Sequence, residues 1–90
     1  MKDVLVTTAH RGVFFGTLES GQTGDETETL VLLNCRNAIH WAGKNGFLGL
    51  ASDGPESGSR IGATAPRVIL HDITSVSECS PTAVKAWRAV

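Results

Sequence analysis

The segment Gly12-Val13-Phe14-Phe15-Gly16-Thr17-Leu18-Glu19-Ser20 constrains the fold more than any other. Read as a strand over 12–20, alternation sets Val13, Phe15 and Thr17 on one face and Phe14, Gly16 and Leu18 on the other. Each face carries a phenylalanine, so each face has to be covered. Gly16 in the middle marks a bulge or a sharp bend, as at the corner of a small barrel.

The neighbouring segments extend this β pattern. Residues 3–8 (DVLVTT) are rich in β-branched types and read as a strand. Residues 21–27 carry two glycines among polar neighbours and form a solvated loop, where Asp25 and Glu26 fall. The apolar run in 28–34 (ETLVLLN) marks a central strand, and 36–42 (RNAIHWA) predicts a shorter one. A tight turn over Asn34 to Asn37 would join them. Residues 67–78 (RVILHDITSVSE) give the longest strand candidate. Its alternation sets Val68, Leu70, Asp72, Thr74 and Val76 on one face, with Ile69, His71, Ile73 and Ser75 on the other.

Residues 43–66 differ: six glycines and two prolines predict a long glycine-rich loop. Within it, Phe47, Leu48 and Leu50 read as one helical turn that plugs the core. Ser80-Pro81 then starts a helix over 81–89. Serine caps free amides, and proline suits the first helical position because it has no N–H to lose. Ala83, Val84, Trp87 and Val90 recur at helical spacing, which lays Trp87 against the strands. Alone, so short a helix is unstable.

At 90 residues the chain holds one domain. The fold class is mainly β: a small, strongly bent antiparallel sheet or SH3/Sm-like barrel of about five strands with a short C-terminal helix. Closure would remove exposed edges. An open α+β sheet with the helix on one face is the alternative. A short chain with edge strands also gains stability by pairing them, so a homo-oligomer is expected.

Eight basic against nine acidic groups leave a net charge of −1. That argues against a general DNA coater, whose affinity comes from neutralising phosphates. The three apolar residues Val4 to Val6 are too few for a signal peptide or a membrane span, so a soluble cytosolic protein is expected. Cys35 and Cys79 form no CxxC motif and read as buried free thiols. No catalytic signature is visible, and no enzyme activity or cofactor is expected. His10, His40 and His71 lie on separate segments without ligand spacing, so no metal is expected either.

Three places carry recognition chemistry. The turn Thr7-Thr8-Ala9-His10-Arg11-Gly12 offers two hydroxyls, the His10 imidazole and the Arg11 fork, which fits phosphate or carboxylate. His40-Trp41 ends a strand, where an exposed indole would stack on a base or anchor a partner. The loop over 54–62, with Ser59 and Arg60, can aim backbone N–H groups at an anion. Arg67, just after Pro66, would join Arg60 on one rim. The P-loop lysine is missing, so nucleotide hydrolysis is not supported.

Gly12 to Leu18, Leu30-Val31-Leu32-Leu33-Asn34, and Val68 to Val76 together resemble the Sm-like small barrels. That family places an Arg-Gly pair in its late strand for RNA contact. Here the positions read Leu70-His71-Asp72, and the family's N-terminal helix is absent, so the resemblance implies the barrel and not the RNA binding. A second resemblance covers more of the chain. VTTAHRGVFFGTLE, RNAIHW, GLASDGP with SRIG, and VILHDITSV resemble a family of small uncharacterised phage and prophage proteins. It implies an accessory gene product in a bacterial cytoplasm. The expected function is non-catalytic inhibition of a host defence factor, by blocking a protein complex or sequestering a phosphate-bearing nucleotide signal. An Sm-like nucleic-acid-binding oligomer and a virion structural or assembly protein are the alternatives.

Overall fold

The computed structural model describes residues 2–26, 28–41 and 46–90, and of Arg11 only the backbone. Its elements are β1 (Asp3–Thr8), β2 (Gly12–Leu18), β3 (Thr29–His40), α1 (Gly49–Ser52), β4 (Arg60–Ile61), β5 (Ala65–His71), β6 (Ile73–Glu78) and α2 (Pro81–Ala89). All strand pairs are antiparallel. The order is β4-β3-β2-β1-β6, and β5 lies beside the first half of β3, on the edge that β4 occupies further along.

The hydrogen-bonded sheet is bent and not closed. Its outer strands β5 and β6 are joined at Asp72 alone, at a left-handed φ of 54°. The Asp72 amide donates to the Glu28 carbonyl and its carbonyl accepts from the Ala9 amide, both at 2.9 Å. The chain therefore steps from one edge of the sheet to the other at a single residue. The mainly β class with a short C-terminal helix holds, in the open form.

Two cores use the two faces. One is built from strands alone, with Val4, Val6, Leu18, Leu30, Leu32, Cys35 and Leu70 buried and Phe14 packed against them. The other lies between strands and helices, with Leu5, Val13, Phe15, Leu50, Ala83 and Trp87 buried. Phe14 and Phe15 thus serve opposite cores, as the alternation requires. Gly16 sits at a register shift between β2 and β3. A Cβ there would come within 2.9 Å of the Leu32 Cβ, so the bulge needs glycine.

Three expectations about the strands are corrected. The segments expected at 28–34 and 36–42 are one strand, β3. Asn34 takes a φ of 50°, but it makes a bulge opposite Gly16 rather than a turn. That bulge resets the alternation, so Cys35 and not Asn34 faces the core. The single strand expected over 67–78 is β5 plus β6. Asp72 and Thr74 do not share the apolar face of Val68 and Leu70; both are exposed, and Ile73 and Val76 pack inward instead. Asn and Asp tolerate left-handed φ, and that is what both resets use. The expected loop over 43–66 contains α1 and β4, and residues 42–45 lie outside the described residues. Leu50 plugs the core from α1, whereas Phe47 and Leu48 are 37% and 56% exposed.

Helix α2 is fixed at both ends. The Ser80 hydroxyl accepts from the Ala83 amide at 3.0 Å and donates to the Ser52 carbonyl. The Ser80 amide bonds the Ala51 carbonyl at 2.9 Å, which ties α2 to α1. Trp87 stacks on Phe15 and donates its indole N–H to the Leu50 carbonyl at 2.9 Å. At the far end, the half-buried Arg36 guanidinium donates to the carbonyls of Trp87 and Val90, and to that of Gly62 beside β4. Helix carbonyls left without intrahelical partners are satisfied in this way.

Candidate functional site

The structure gathers two of the three recognition segments. Where β1 turns into β2, Thr7, Thr8, Gly12 and Val13 line a groove of about 490 Å³. Trp41 and Phe47 supply its aromatic wall, and Thr74 of β6 closes it. The threonine turn and the tryptophan, 33 positions apart from Thr8 to Trp41 in sequence, therefore share one concave surface.

Local sequence explains each wall. Trp41 follows the last residue of β3 and packs half-buried against the core under the helices. The Thr7 hydroxyl is 2.7 Å from that of Thr74 and also bonds the Ser75 hydroxyl, which locks β1 to β6 beside the groove. Phe47 follows Gly46, whose φ of 70° suits glycine, and its ring stays partly exposed.

The other candidates fall elsewhere. His10 is exposed at the β1–β2 turn with a φ of 64°, and the Arg11 side chain lies outside the described residues. His40 and Arg60 are exposed register partners on β3 and β4, and Ser59 precedes β4. Arg67 does not share a rim with Arg60. It pairs with Leu33, seven positions from His40 and about 20 Å along β3 at the usual strand rise. Its guanidinium makes a two-point contact with Glu19, at 2.9 and 3.2 Å. That contact lowers the Glu19 pKa and raises that of Arg67.

A family model described as Domain of unknown function (DUF6948) matches residues 1–87. The chain belongs to that family. No curated protein matches this DUF6948 chain, and no solved structure does. Among its described residues, no helix is long and apolar enough to cross a membrane.

Sequence reasoning missed three groove residues of the DUF6948 chain, Val13, Phe47 and Thr74. Phe47 was expected inside the core, although its place between glycines was compatible with exposure. Alternation sets Thr74 on one face with Val68 and Leu70, and Asp72 breaks that alternation. The cysteines of the chain are free and serve opposite cores, Cys35 among the strands and Cys79 under the helices.

Proposed function

We propose that this is a non-catalytic accessory protein of phage or prophage origin, acting in the bacterial cytoplasm. It blocks a host defence complex by occupying a surface of one of its proteins. The observation that carries this reading is the groove: two aromatic side chains and Val13 beside a row of threonine hydroxyls. Aromatic anchors in a desolvated concavity with polar rims are what protein interfaces use as energetic centres. The resemblance of VTTAHRGVFFGTLE and VILHDITSV to phage and prophage proteins supports the origin. Sequestration of a nucleotide has less support, because Arg67 is held by Glu19 and Arg60 is not among the groove residues.

Photo-crosslinking tests the reading. A benzoylphenylalanine placed at Phe47 joins a host protein in cells with active phage defence, and Trp41→Ala removes that adduct. The same probe at Ile69, exposed on β5, serves as the control. Identical adducts from both positions, or none from Phe47, contradict the reading.

A further inference from the structure

We propose that β6 takes an extended segment of the partner as an added strand, with an apolar side chain in the Trp41–Phe47 groove and basic side chains beyond it. This rests on the groove being the partner site. Among the described residues β6 pairs with β1 on one side and with no strand on the other. A strand edge left open this way presents unpaired N–H and C=O groups to an incoming chain.

The surface beside β6 has the form of a strand slot. Four consecutive residues, Ile73 to Val76, line a cleft of about 180 Å³. The face of a strand offers alternate residues, whereas its edge offers consecutive ones. The opposite wall is Gly24, Asp25 and Glu26. Thr74 belongs to both this cleft and the aromatic groove. Val76, Gly24 and Asp25 also border a further cleft, which leaves the edge and passes over the sheet face at Val4 and Leu18 to Lys2 and Glu78. Along the β6 edge the groove and the cleft thus meet at Thr74, apolar on the Trp41–Phe47 side and acidic at Asp25 and Glu26.

Charge sets the chemistry of the occupant. Asp25 and Glu26 flank the cleft beside β6, and no cation lines it among the described residues; Lys2, beyond it, lies 3.8 Å from Glu78. Glu26 stays anionic, since the amides of Thr23 and Gly24 donate to its carboxylate and lower its pKa. The opposite edge of the sheet is blunted by Pro66 and Arg67 on β5, and β6 contains no proline, lysine or arginine.

The test uses the full chain and three synthetic peptides. One carries a phenylalanine followed by alternating valine and lysine. Its twin has glutamate for lysine, and the third has alternate backbone nitrogens methylated. The lysine peptide should slow amide exchange over 73–78, with the glutamate twin about tenfold weaker and the methylated one inactive, and Asp25→Lys should narrow the charge preference. Equal binding by the twins, or no peptide binding, overturns the proposal. Binding that Trp41→Ala abolishes but that leaves 73–78 unprotected overturns the added strand and keeps the groove. Protection of 73–78 that ignores Trp41→Ala keeps the strand and removes the groove.

Discussion

The rings of Phe15 and Trp87 lie 5.0 Å apart at 3° to one another, and both are fully buried. The Arg88 guanidinium stands 4.7 Å from the Phe15 ring centre and also donates to the Asn34 carbonyl. One strand, one helix and the β3 bulge are thereby joined through a single aromatic ring. Trp87→Ala should cost about 3–5 kcal/mol and leave little folded protein in a chain of this size. Trp87→Phe keeps an aromatic ring near Phe15 but strands the Leu50 carbonyl, and should cost about 1–3 kcal/mol. Urea unfolding followed by circular dichroism measures both.

Gly54 sits where α1 meets α2, with a φ of 86°. A Cβ there would approach the Ala86 Cβ to 2.4 Å. Gly54→Ala should destabilise by about 2–4 kcal/mol, combining the left-handed conformation with the clash. Adding Ala86→Gly removes that clash but neither the 3.1 Å approach to the Ala83 carbonyl oxygen nor the backbone cost. The double variant should recover part of the loss in a thermal melt, despite a second glycine in the helix.

Ser80→Ala removes the cap of α2 and the hydroxyl donor to the Ser52 carbonyl together. A loss of about 1–2 kcal/mol is expected, seen as a melting temperature lower by about 4–16 °C. Ser80→Asp restores the cap but cannot donate, so it should recover only part of that loss.

Both thiols resist ionisation. Burial pushes Cys35 up to about 11; burial and then the charge of Asp3 push Cys79 up to about 12. In the unfolded chain both ionise near the ordinary thiol value, so the unfolded state releases protons first as pH rises. Their contribution to stability is full below about pH 8.5 and is lost as pH climbs towards 11 and 12. The urea midpoint should fall between pH 8 and pH 10. Replacing both cysteines by alanine should reduce that fall.

How much was legible in the sequence follows from these residues. The double-faced strand at Phe14 and Phe15, the bulge at Gly16 and the capped helix bearing Trp87 could all be read from alternation, glycine and the Ser-Pro pair. The joining of two strands into β3 and the splitting of the last one could not. Each turns on one residue in left-handed conformation, Asn34 and Asp72. Nothing local says whether such a residue ends a strand, bulges it or carries it to another edge; hydrogen bonds from distant segments decide that. For the same reason Thr7 and Thr8 read as one segment and Trp41 as another, while their meeting at Thr74 depends on the register of β6 beside β1.

The central claim is that the Trp41–Phe47 groove engages a host protein and so protects a phage. Plating efficiency on bacteria with an active defence system measures it, with and without the protein expressed from a plasmid. Wild type should raise plating by about tenfold or more, and Phe47→Glu, altering a partly exposed ring, should abolish the gain while melting normally. No gain from wild type in any defended strain, or full activity of folded Phe47→Glu, would contradict the account.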